Sequence, residues 1–143
     1  MHRFRSLSRE DGQAIVEFAL VLPLLVGLLV GIVQFGIIFN NYETLTDAAR
    51  VAARKAAVSR FVGDNGASAT AAGMSAASGL NSSNLAITVH ACADGTACPP
   101  TADDWRTPGN VVTVTATYPY SIKVLDWTIK SGNLTSITKE RLE

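Results

Sequence analysis

Histidine and cysteine are scarce in this sequence. Among 143 residues the only histidines are His2 and His90, and the only cysteines are Cys92 and Cys98. That scarcity excludes the usual histidine- and cysteine-rich metal centres, and no zinc spacing, phosphate loop or nucleophile elbow is present. Excess charge is lacking too, since Lys+Arg and Asp+Glu both number 12. A nucleic-acid surface normally shows a basic patch or stripe, and none is visible, so no nucleic-acid partner is expected. Asp103 and Asp104 are adjacent but have no third oxygen ligand nearby in sequence, so spacing does not support a calcium site. His90 is alone on the polar side of a strand pattern. The expectation is a non-enzymatic protein with no catalytic residue, no cofactor and no bound metal.

The most informative absence is local. Between Glu17 and Glu43 there is no charged side chain, and from Phe18 to Phe39 the only strongly polar one is Gln34. About 22 residues in a helix span about 33 Å, which matches a hydrocarbon core of roughly 30 Å. The run exceeds the roughly 7–15 residues of a secretory signal's apolar region and is followed by Asn40-Asn41-Tyr42 rather than by small residues. It reads as a transmembrane helix, so a lipid bilayer is its first partner. Pro23 lies inside it and is expected to kink or loosen it. Gly27 and Gly31 form a small-x-x-x-small pair; they either admit a neighbouring helix or reflect the frequency of glycine in membrane helices.

A carboxylate at the edge of such a run is costly unless paired, protonated or able to reach the interface. Two readings of Glu17 stay open. It marks the membrane boundary and snorkels to headgroups, or it is neutralised by a charge arriving on a neighbouring helix. The second gains force if the chain is cut after Gly12, because Gln13 then carries a new ammonium at the start of the apolar helix.

The remainder divides by composition and period. Residues 1–12 form a leader with Arg3, Arg5 and Arg9, which favours an N-terminus held in the cytoplasm. Residues 13–39 are the span, and residues 40–61 continue it as an amphipathic helix. Leu45, Ala48, Ala49, Ala52 and Ala56 recur there at spacings of three and four. Asp47 and Arg50 are placed to pair, and the charges of this segment read as a solvated face. The helix is expected to break at Gly63-Asp64-Asn65-Gly66. Residues 62–143 read as an α+β domain. A short helix is expected over 67–78, a strand over 85–92, a long loop over 93–109 and a strand from Val111 to Tyr118. Pro119 ends that strand or marks an edge. Residues 121–129 read as either an extended segment or a helical turn, and a last strand runs over 134–142. The expected fold class is α+β: a long N-terminal transmembrane helix continuing into a small C-terminal domain with an antiparallel sheet of three or four strands.

The order basic leader, Gly12, Gln13-Ala14-Ile15-Val16, Glu17, Phe18 and a long apolar run resembles the processing site of type IV pilin-like proteins. With Pro23, Gly31-Ile32-Val33-Gln34-Phe35-Gly36 and Thr46-Asp47-Ala48-Ala49-Arg50 it is most similar to the TadE-like proteins of tight-adherence (Tad/Flp) pilus systems. The resemblance covers roughly residues 8–57. It implies cleavage between Gly12 and Gln13 by a prepilin peptidase, with Glu17 as the assembly glutamate and Phe18 as its aromatic neighbour. It implies a minor pilin or pseudopilin. Its partners would be other pilin-like subunits, met through the N-terminal helices, and an inner-membrane assembly platform. The chain would cross the inner membrane once, with its C-terminal domain in the periplasm or carried into a surface pilus. The alternative is an uncleaved, single-pass binding or adhesin module.

Cys92 and Cys98 are separated by five residues that include Asp94-Gly95, a turn signal. In an oxidising compartment they would form a local disulfide; otherwise they are two reduced thiols in a loop. Trp105 and Trp127 are candidates either for partner contacts or for the core.

Overall fold

The computed structural model describes residues 9–59, 64, 66–93, 104–105, 107–124 and 127–142. The chain divides into two compact units, Met1–Gly36 and Ile37–Glu143. A single helix, α1 (Arg9–Val58), is common to both, and Pro23 lies inside it without ending it. Its termination is local. The backbone N–H and the hydroxyl of Ser59 both donate to the Ala56 carbonyl, each at 3.1 Å, and so close the last turn.

Within the second unit, α1 presents a nearly all-alanine face. Leu45, Ala48, Ala49, Ala52, Ala53 and Ala56 are fully buried. Methyl side chains let neighbouring backbone approach closely, and a second helix, α2 (Ala67–Ala76), uses that proximity. A Cβ at Gly73 of α2 would meet Ile87 Cδ1 at 2.9 Å, Ala52 Cβ at 3.0 Å and the Ala48 carbonyl oxygen at 3.1 Å. Glycine is there because nothing larger fits.

The start of α2 is organised by Asp64. Its carboxylate accepts from the Gly66 N–H (3.2 Å) and the Ser68 N–H (2.8 Å), satisfying donors that a helix leaves orphaned. Hydrogen bonding from Ser68 and from the Gly66 amide holds the Asp64 carboxyl below its ordinary pKa. Gly66 has φ +83°, and a Cβ on it would stand 2.9 Å from the Trp105 ring, so glycine is required on both counts.

Three strands follow, β1 (Ala86–Cys92), β2 (Val111–Val124) and β3 (Trp127–Arg141), in an antiparallel sheet of order β1-β2-β3. Alternation sets its faces. Ile87, Val89, Ala91, Val112, Val114, Ala116 and Ser136 turn inward onto α1 and α2. The other face carries threonines in register: Thr88 faces Thr115, and Thr117 faces Thr135. Trp105 and Leu142 complete the core, so Trp105 belongs to packing rather than to a partner surface. The side chain of Trp127 lies outside the described residues.

The α+β expectation holds, with three strands. Two choices the sequence left open are decided, and two boundaries differ from the sequence reading. Pro119 does not end β2. Because β1 reaches only Thr117, β2 is an edge on that side beyond it, the setting in which a strand tolerates proline. Residues 121–124 and 127–129 are extended, so the helical-turn option is excluded. β3 begins at Trp127 rather than at 134, making a long hairpin with a register shift at Ile122/Lys123. β1 and α2 are slightly shorter than expected, starting at Ala86 and ending at Ala76. Residues 60–61 and most of the 93–109 loop lie outside the described residues.

Candidate assembly interface

The residues singled out in the sequence fall on the first three turns of the described helix. Gly12, Gln13, Glu17 and Phe18 are all within α1 and exposed. The i,i+4 spacing places Gln13 and Glu17 on one face, and Gln13 Nε2 donates to Glu17 Oε1 at 3.1 Å. The carboxylate at the edge of the apolar run thus has a hydrogen-bond donor on its own chain. Phe18, one residue on, projects about 100° away around the helix axis.

From Ile15 to Phe39 the apolar side chains other than the half-buried Val30 and Ile38 are exposed, with Leu20 77% and Leu24 75% accessible. A helix apolar all round suits a hydrocarbon environment rather than one face of a water-soluble core. The N-terminal part of α1 is long and apolar enough to cross a membrane. Gly27, Gly31 and Gly36 have nothing within 4 Å of a built Cβ.

Past this stretch α1 becomes one-sided. Thr44 and Thr46 return their hydroxyls to the carbonyls of Asn40 and Tyr42, each at 2.9 Å, so neither needs an outside partner. Arg50 donates to Asp47 at 3.4 Å, as the spacing predicted. Phe39, Tyr42, Glu43, Thr46, Asp47 and Arg50 line an open groove on this surface.

The other candidates do not converge on a site. Cys92 is buried at the end of β1, and Cys98 lies outside the described residues. Asp104 is engaged in a turn, accepting from the Thr107 hydroxyl at 2.6 Å and the Thr107 N–H at 3.3 Å. Asp103 lies outside the described residues. Among the described residues no three His, Cys, Asp or Glu side chains are grouped as metal ligands. Two contributors were missed by sequence reasoning. Asp64 caps α2 from outside it, and Tyr118 accepts a hydrogen bond from the Asn81 N–H at 3.4 Å. The Asp64 spacing to Gly66 was available as a signal, whereas the Asn81–Tyr118 contact spans 37 residues and had none.

A long exposed apolar helix with one glutamate at its edge thus precedes a small α+β domain, an arrangement that suits a membrane anchor. The TadE-like protein family model matches residues 12–54, the part of α1 that holds Gly12, Glu17 and the alanine face. Over that segment, and there alone, the chain is similar to TadE-like proteins. The domain from α2 onward lies outside the match. No curated protein and no solved structure matches the chain.

Proposed function

We propose that this protein is a minor pilin or pseudopilin that acts structurally in assembly of a Tad pilus. The observation that carries the reading is the N-terminal part of α1: exposed apolar side chains on all sides, interrupted at its edge by Glu17 alone, inside a TadE-like segment. In this reading residues 1–12 are a leader, 13–39 the span, the helix continues from 40 to its end at Val58, and 62–143 form the periplasmic domain. Prepilin peptidase cuts between Gly12 and Gln13. Gly12 sits within α1, so the peptidase must first unwind the turn around it. The new Gln13 ammonium then meets a Glu17 carboxylate, on its own chain or on the next, and this charge pair sets register among apolar helices that packing alone leaves free to slide. The chain crosses the inner membrane once, with its N-terminus in the cytoplasm, and meets other pilin-like subunits and the assembly platform there. A Cys92–Cys98 disulfide closes the loop after β1 in that oxidising compartment.

The test is the mature N-terminal sequence of protein extracted from its own membranes. Residue 13 at the terminus is the expected result. An intact Met1 in cells with active prepilin peptidase overturns the processing and leaves an uncleaved, anchored binding module.

A further inference from the structure

The surface of α1 opposite its alanine face carries four charges in a pattern that Glu17 does not explain. Glu43, Asp47, Arg50 and Arg54 are all exposed and follow one another at intervals of four, three and four. At 100° per residue they lie within an arc of about 60°. Ala52, at the centre of the buried side, is about 180° from Glu43. The strip is therefore held outward by the packing of the domain. The acids precede the bases, so the strip is acidic towards its start and basic towards its end.

We infer that this strip is a contact surface for a second copy of the same chain, packed parallel and displaced by one heptad along α1. The inference rests on the membrane-anchored reading above. Copies threaded into one bilayer by the same N-terminal span share the same chain direction, so two such strips meet parallel. A displacement of seven residues, about 10.5 Å, places Glu43 of one copy against Arg50 of the next and Asp47 against Arg54. Both acids are matched by both arginines at this one shift. With no displacement, like charges face each other and repel. The same shift sets Phe39 against Thr46, and both line the open groove on this surface. The Asp47–Arg50 pair within one chain does not compete strongly. Its partners are 3.4 Å apart with side chains 69% and 72% exposed, and pairs of that kind hold weakly in water. The presence of both signs also distinguishes a protein partner from an anionic lipid surface, which would select bases alone.

The test is cysteine cross-linking of the full chain in its own membranes, in a Cys92→Ser/Cys98→Ser background, with two differently tagged copies expressed together. Glu43→Cys with Arg50→Cys, and Asp47→Cys with Arg54→Cys, are expected to form mixed disulfides. Asp47→Cys with itself is expected to give at least about fivefold less. Equal or stronger linkage between identical positions, or none at any pair, overturns the register. If the serine background folds poorly, co-purification with both native cysteines retained still reads whether the strip carries self-association. Glu43→Lys/Asp47→Lys alone and Arg50→Glu/Arg54→Glu alone should each lose self-association, and the two variants expressed together should regain it. Failure of the mixture to regain it overturns the proposal. Heptad-shifted linkage in a chain that still begins at Met1 keeps this contact and removes only the pilus-processing reading. Maturation at Gln13 without any linkage does the reverse.

Discussion

α1 obeys two different rules along one continuous backbone. Up to about Phe39 its apolar side chains are large, branched and, apart from Val30 and Ile38, exposed. From Leu45 to Ala56 its buried face is almost entirely methyl groups, and its outer face is charged. The first stretch suits a solvent of hydrocarbon chains, where bulk on every side is favourable. The second must let a sheet and another helix come within contact distance of its backbone, where bulk is excluded. The difference shows that helix propensity decides little here, because both stretches are helical. The environment of each face dictates residue size and charge.

The comparison breaks most sharply when one substitution is made in both stretches. Leu25→Arg should cost roughly 2.5–3.5 kcal/mol of insertion free energy and leave the protein unable to fractionate with membranes. Val51→Arg, on the outer face of the second stretch, should change thermal stability by no more than about 0.5 kcal/mol. Equal behaviour at the two positions would remove the distinction.

Adding bulk gives the next largest effect, in the opposite place. Gly73→Leu should destabilise the domain by roughly 1–3 kcal/mol in detergent-solubilised protein, because the new side chain must displace Ile87 and the α1 backbone. Gly27→Leu should leave that unfolding midpoint unchanged, since nothing lies within 4 Å of it. A loss of assembly in Gly27→Leu with normal folding would show that another helix packs there.

Glu17→Ala is expected to leave membrane insertion intact and to reduce the yield of assembled pili, read by shearing and quantifying surface fibres. Normal fibre yield would remove Glu17 from assembly.

The smallest effect concerns Asp64. Its folded pKa is depressed, so its carboxylate stabilises the domain above the ordinary carboxyl pKa, and that contribution fades as pH falls through the folded value. Asp64→Ala should lower the melting temperature slightly at neutral pH, and its difference from the unaltered chain should disappear in strong acid. A difference that persists there would assign the effect to packing instead of charge.

Much of this arrangement was legible before any coordinates. The uncharged run announced the span by length, the alanines at spacings of three and four announced a buried face, and Val111–Tyr118 alternated cleanly enough to mark a strand. The strand's true length stayed open, because by local rules Pro119 either ends a strand or marks an edge. Only the early end of β1, set by tertiary pairing, turns that stretch into a tolerant edge. Residues 121–129 lacked a clear period for a related reason. Past Tyr118 and Leu134, which still pack against the core, the described residues of the hairpin are mostly exposed, Ile129 among them, so burial does not impose alternation there. The charges at Glu43, Asp47, Arg50 and Arg54 were visible individually. Their shared direction emerged only once the opposite face was seen to be buried.

The end of β3 has a practical consequence for anyone who labels this protein. Leu142 is 3% exposed, its N–H donates to the Asn110 carbonyl at 2.8 Å, and its own carbonyl accepts from Gly109 at 3.2 Å. A substitution or insertion that disturbs Leu142 removes a plug from the interior and unlatches the 109–110 turn, so a label placed there reports on a damaged molecule.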